Sequence, residues 1–267
     1  IIRDPSFIKQ LISAFDNIGI KRFYTPAISV GADKLWLKGY EGLGLNAGMW
    51  EAGANARVNP SNTDLQTAGI APSRIIVVEG TANNGHALTV AQVLAGDGFS
   101  GADIGIAPKA TILSYNLDEN DYLLEMEAAA YPSVSSNPIL VSNNSFAANA
   151  GWVSNASDYW HGVLQIDQRE DYKFGRYSNE ELLWDNVYDK DVVNKPFLSI
   201  VKSAGNNRGK QGTTLYTQWN YDLGTNTWTR SSASLTPPDK PDADGGMDGY
   251  DCIPQGAIGK NIITVGA

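Results

Sequence analysis

The chain is poor in the residues that most chemistry needs. It has one cysteine, Cys252, and two histidines, His86 and His161, in 267 residues. A lone cysteine makes no internal disulfide and no cysteine-rich metal centre, and by itself it leaves the redox compartment open. Basic residues are also scarce: 20 Lys and Arg face 29 Asp and Glu, for a net charge of −9. That balance repels phosphate backbones and anionic lipid, which sets aside nucleic-acid and membrane-surface partners. Long apolar runs are missing too. Stretches such as Ile75-Ile76-Val77-Val78 are strand-sized, far below the roughly 20 residues of a spanning helix, so no membrane span is expected. The chain opens on Ile1 without a basic and then apolar leader, which reads as a mature or trimmed product.

What is present is globular. The composition is 42% hydrophobic and 18% charged, with aromatics at 10%, which excludes disorder; the length suits one large domain or two small ones. Apolar runs alternate with amphipathic stretches. Leu45–Trp50, Ile75–Val78, Ala110–Tyr115, Pro138–Ser142, Phe197–Ser203 and Asn261–Ala267 read as strands, the last two apolar on both faces. Ala87–Leu94 and Glu119–Tyr131 read as helices, and Ser178 with Glu181 forms a capping-box pattern opening a third, through about Asn194. The expected fold class is α/β: a doubly wound, mostly parallel sheet with helices on both faces. Two stretches interrupt the alternation. Residues 143–177 are aromatic-rich and read as an elaborated loop. Residues 209–249 are polar, with a hairpin expected at Tyr221–Thr229 around Gly224-Thr225-Asn226. Pro5–Ile18 reads as an amphipathic helix in an N-terminal extension, residues 1–35.

With two histidines, the search for chemistry is short. His86 follows Asn84-Gly85 at a turn that opens a small-residue helix, at the end of a parallel sheet where open α/β folds place their sites. Taken alone, an ordinary surface histidine accounts for it equally well. His161 sits in the aromatic stretch and reads as a packed or surface residue. Glu51 follows its strand directly and precedes Ala52-Gly53, where a carboxylate can orient an imidazole on a neighbouring turn. An exposed loop acid is the competing reading. Ser203-Ala204-Gly205-Asn206 ends another strand with small residues and a carboxamide, the equipment for holding an oxyanion, against the alternative of a plain Asn-Gly turn. Gly42-Leu43-Gly44 precedes its strand and so fails as a nucleotide loop. No His, Cys and carboxylate cluster has metal-ligand spacing. Asp97, Asp103, Asp118 and Asp121 have the scatter of a solvated surface.

In order along the chain, these segments resemble the subtilisin family of serine peptidases. Met49-Trp50-Glu51-Ala52-Gly53 is similar to the family's aspartate motif. His86-Ala87-Leu88-Thr89-Val90-Ala91 is similar to its His-Gly-Thr-His-Val-Ala motif, with His86 at the first histidine. Gly105-Ile106-Ala107-Pro108 resembles the Gly-Val-Ala-Pro segment that follows. Val141–Phe146 takes the place of the cleft-lining segment, and Ser203–Asn206 matches Ala-Ala-Gly-Asn, with Asn206 at the oxyanion asparagine. Lys260–Ala267 resembles the strand before the serine region. The likeness spans roughly residues 36–267, with insertions at about 143–177 and 209–249. It implies a peptidase domain incomplete at its C-terminus and a site made of His86 as general base, Glu51 in the acid position and Asn206 as oxyanion donor.

The departures are specific. Glutamate replaces the family's aspartate, one methylene longer. Thr89 and Gln92 replace the second histidine and second glycine, at positions expected to pack the helix. Nothing matches the serine motif; Ser231-Ser232-Ala233-Ser234 precedes the last strand and lies in the polar insertion. One account is an active serine endopeptidase whose nucleophile lies outside this chain, on a trimmed segment or a C-terminal fragment. A second is an inactive homologue serving as a peptide-binding or scaffold module. A third, an unrelated doubly wound binding domain, fits the ordered motifs worst. The resemblance further implies a polypeptide substrate, no cofactor for the chemistry, a structural calcium ion with no assigned ligands, and a secreted or cell-envelope location.

Overall fold

A computed structural model describes residues 27, 29–67, 69–100, 104–117, 121–154, 158–162, 170–187, 197–212, 215–222, 224–225, 227–234, 241–245 and 251–266. The helix expected at Pro5–Ile18 lies outside these residues. The chain divides into two compact units, Ile1–Glu119 and Asn120–Ala267.

In the first unit, helix α1 (Ala32–Trp36) leads through a turn to strand β1 (Asn46–Glu51). Gly42 and Gly44 both have φ near +80°, and a Cβ on Gly42 would meet Ala107 and Ala110 at 3.0 Å. These glycines therefore shape the turn before a strand. Next come β2 (Ala56–Arg57), β3 (Gln66–Thr67), β4 (Ile70–Ser73), β5 (Ile75–Val77), β6 (Ala82–Asn83), helix α2 (Gly85–Ala95) and β7 (Thr111–Asn116). Strands β5, β7 and β1 lie side by side and all parallel, with β7 in the middle. Helix α2 makes the crossover from β5 to β7. It presents Ala87, Ala91 and Ala95, one face at successive turns, to a core of Met49, Val58, Leu65, Ile75 and Ile112. Alanines on that face let the helix approach the strands closely. Trp50 is fully buried and stacks on its ladder partner Tyr115, ring centroids 4.3 Å apart.

The second unit begins with helix α3 (Tyr122–Ala130), N-capped by Asp121, and β8 (Val141–Asn144). Then follow β9 (Trp152–Ser154), β10 (Asp158–Trp160), helix α4 (Asn179–Asn186), β11 (Ser199–Ser203), β12 (Leu215–Asp222), β13 (Thr227–Ser234) and β14 (Ile263–Val265). Strands β8, β11 and β14 again pair in parallel, with β11 in the middle. Six parallel strands, three in each unit, with helices between them, make this the α/β class expected.

Several expectations shift. The strand expected at Pro138–Ser142 starts instead at Val141, with the Ile139 amide turned to the Ala129 carbonyl at 3.1 Å. The capping box at Ser178 and Glu181 forms as expected, but α4 runs to Asn186, and residues 188–196 lie outside those described. Of the strand expected at Asn261–Ala267, Ile263–Val265 forms as β14. Among the described residues it pairs with β11, and Ile263 and Val265 are more than half exposed. The strand at Phe197–Ser203 begins at Ser199, leaves Phe197 exposed and buries a lysine, Lys202. The aromatic stretch is more than a loop: its β9 and β10 join β12 and β13 of the polar stretch in one four-stranded sheet, ordered β13-β12-β10-β9. The expected hairpin is the β12–β13 pair, closed at Asp222 and Thr227 and extended to Leu215 and Ser234.

Candidate active site

Glu51 is the last residue of β1, one position beyond the strand's expected end at Trp50, and only 4% exposed. This corrects the reading of it as an exposed loop acid. His86 lies in the first turn of α2, whose N-cap Asn84 accepts a hydrogen bond from the Ala87 amide at 3.0 Å. The imidazole Nδ1–H donates to the Glu51 carboxylate, with Nδ1 2.9 Å from Oε1 and 2.8 Å from Oε2. An ionised carboxylate only accepts, so this contact assigns the proton to Nδ1 and leaves Nε2 as the acceptor nitrogen. The histidine side chain is 57% exposed while that of Glu51 is 5% exposed. The extra methylene of glutamate is absorbed by folding the carboxylate back over its own strand end, where Oε1 also takes the Ala52 amide at 3.2 Å.

The elements that fix this pair are short. Strands β2 and β6 form a two-residue parallel ladder, Ala56 with Ala82 and Arg57 with Asn83, stapling the loop after Glu51 to the segment before His86. Asn116, fully buried and opposite Glu51 in the ladder, donates its carboxamide to the Gly53 carbonyl at 2.9 Å and the Ala56 carbonyl at 3.3 Å. Gly80 passes so close to Ala56 that a Cβ would lie 2.3 Å from its carbonyl oxygen, and φ there is +82°. Sequence reasoning missed Asn116 and Gly80. An asparagine at a strand end and a Glu-Gly dipeptide carry no distinctive local signal.

The departures along α2 resolve differently from each other. Gln92 donates to the buried Asp64 carboxylate at 3.0 Å, beside the Ser100 amide and hydroxyl. Thr89, expected to pack the helix, is exposed and only back-bonds the Gly85 carbonyl at 3.0 Å.

In the second unit, Asn206 is exposed on the turn after β11, directly behind Gly205 with φ of +82°. Its neighbour Asn207 is buried. Lys202, four residues earlier, is 2% exposed, with its ammonium donating to the Phe146 carbonyl and lying 4.0 Å from that ring's centroid. Burial pulls its amine down to about 8, against the opposing pull of Glu180. His161 serves as scaffold: its amide donates to the Gly151 carbonyl and its carbonyl accepts from Lys173. Burial, reinforced by Asp244, pushes the Cys252 thiol up, the wrong direction for a nucleophile. Ser231-Ser232-Ala233-Ser234 belong to strand β13 and open no helix.

A buried carboxylate at the end of β1 thus meets an exposed imidazole in the first turn of the β5–β7 crossover helix. The Subtilase family profile matches residues 77–267, more than half of the chain. The chain therefore belongs to the subtilase family, a family of serine peptidases. The matched stretch contains His86 and Asn206; Glu51 precedes it, and its place in the pair rests on the contact with His86. Among curated proteins no match is found. Among the described residues no helix is long and apolar enough to cross a membrane.

Proposed function

We propose that the chain carries the base, orienting acid and oxyanion donor of a subtilisin-type serine endopeptidase acting on polypeptides. The observation that carries the reading is the approach of Glu51 to His86 Nδ1 at 2.8 and 2.9 Å, with the imidazole otherwise open to solvent. The nucleophilic serine is supplied from outside these 267 residues. His86 Nε2 takes the serine proton as the oxygen attacks the scissile carbonyl. Glu51 holds the Nδ1–H tautomer and stabilises the imidazolium, and Asn206 donates its carboxamide to the tetrahedral oxyanion. Collapse of that intermediate passes the proton from His86 to the leaving amine and forms an acyl-enzyme. Water, deprotonated by the same imidazole, then releases the acid. The partners of this reading are a polypeptide substrate and a C-terminal segment or fragment bearing the serine; the location is secreted or cell-envelope.

The structural calcium ion that the resemblance implies has no ligands assigned among the scattered acids. Asp97 accepts from the Phe99 amide and Asp121 from that of Leu124, while Asp103 and Asp118 lie outside the described residues. No calcium site is assigned and no step runs through one.

The test is cleavage of a denatured protein by the natural full-length protein. Hydrolysis abolished by His86→Ala is expected. Peptide binding without cleavage would move the assignment to the inactive homologue.

A further inference from the structure

The buried acids of the second unit lie in residues that the proposed chemistry does not use. Asp244 is 3% exposed and sits in the polar stretch, far from Asn206 in sequence. Its carboxylate accepts the Trp152 amide with both oxygens, at 3.0 and 2.9 Å, and the Asn207 carboxamide at 3.2 Å. Asn207 also donates to the Ala150 carbonyl at 2.6 Å. The backbones are tied as well: the Gly209 amide donates to the Asp244 carbonyl, and the Asp244 amide to that of Lys210, each at 2.8 Å. One position upstream of Trp152, the Gly151 amide donates to Asp171, which is itself paired with Lys173 at 3.2 Å. Gly151 has φ of +58°, and a Cβ there would lie 2.1 Å from Asp244 Oδ1, so the carboxylate fills the space a side chain would take.

We propose that Asp244 is a positioning residue for Asn206: through Asn207, Gly209 and Lys210 it clamps the turn that presents the Asn206 carboxamide, and so fixes the oxyanion donor. This rests on the peptidase reading above. An oxyanion donor works only if it is already aimed where charge develops. Asn206 itself is exposed, so its aim comes from the backbone of its turn, and that backbone is anchored from the residue that follows it. Burial raises the Asp244 carboxyl to about 7, with the Trp152 amide and Asn207 opposing the rise and Asp171 adding to it. Lys210 also opposes the rise, Asp171 is itself paired with Lys173, and the Cys252 thiol feels the Asp244 charge.

The test uses the natural full-length protein. Asn206→Ala is expected to lower kcat by about 10²–10³-fold. Asp244→Ala is expected to lower it on the order of 10²-fold with KM little changed, as for a small misplacement of a catalytic group. Added to Asn206→Ala, it is expected to cost nothing further. A second readout needs no turnover. Amide exchange across residues 205–210 should accelerate in Asp244→Ala and be partly restored in Asp244→Asn. The Asn206 side-chain amide resonance should shift with a midpoint near pH 7 and stop shifting in Asp244→Asn. Effects of Asp244→Ala and Asn206→Ala that multiply, or an Asn206 resonance that titrates unchanged in Asp244→Asn, would overturn the proposal. Full turnover in Asn206→Ala would instead defeat the oxyanion reading, while exchange and the resonance would still decide whether Asp244 clamps the turn.

Discussion

In the first unit, Glu51 and His86 stand on a strand and a helix, and a two-residue ladder sets the distance between them. In the second unit, Asn206 stands on a turn whose neighbours are tied to a buried acid from a distant part of the sequence, Asp244. Regular elements position side chains through backbone hydrogen bonds that survive most substitutions. A turn depends on the few side chains that anchor it. The first arrangement should therefore fail chiefly when its own two residues or close neighbours such as Asn116 change, whereas the second should respond to residues remote in sequence.

The largest effect expected is at Glu51. In the natural full-length protein, Glu51→Gln should reduce turnover by about 10⁴-fold with KM little changed, because a carboxamide no longer fixes the tautomer. Glu51→Asp, whose shorter arm withdraws from Nδ1, should cost on the order of 10²-fold. An unchanged kcat in either variant would break the comparison at its root.

Next in size is the core beneath the pair. Trp50→Ala removes a fully buried ring and its stack on Tyr115, and should destabilise by about 3–5 kcal/mol in denaturant titration.

The second unit should reveal its buried ions through pH. The Asp244 carboxyl is raised from 3.8 to about 7, so between those values the folded chain binds more protons than the unfolded one. Stability should fall as pH rises through that window, and Asp244→Asn should flatten the slope. Lys202 behaves oppositely. Its amine is lowered from 10.5 to about 8, the unfolded chain binds more protons in between, and stability should rise with pH from about 8 towards 10. Lys202→Met should remove that rise, as read by urea midpoints across the pH series. The same slopes in both variants as in the parent would contradict the account of buried ions.

The smallest effects separate the two departures on α2. Gln92→Ala should cost about 1 kcal/mol, through loss of its hydrogen bond to the buried Asp64. Thr89→Ala, on the exposed face, should stay within about 0.5 kcal/mol.

Legibility in the sequence follows the same division. Ile75–Val77, the helix at Gly85–Ala95 and Thr111–Asn116 read almost directly, since a β-branched run, a stretch of small helix formers and a second apolar strand each carry a local signal. His86 was legible as the histidine at a helix start, and Glu51 as the acid at a strand end. Their contact was not, since it depends on how the glutamate folds back over Ala52. The sheet joining β10 to β12 and the clamp at Asp244 carry no local signal, because pairing across 58 residues in the one case and 37 in the other leaves no periodicity in either partner.

The central claim is that His86, held by Glu51, activates a serine. Its most direct measurement is reaction of the natural full-length protein with a fluorophosphonate probe, followed by intact-mass and peptide analysis of every chain. The account predicts a single adduct, on a serine beyond residue 267 or on a companion fragment, that is lost in His86→Ala. No adduct under conditions that label an active subtilase, or an adduct that persists in His86→Ala, would contradict it.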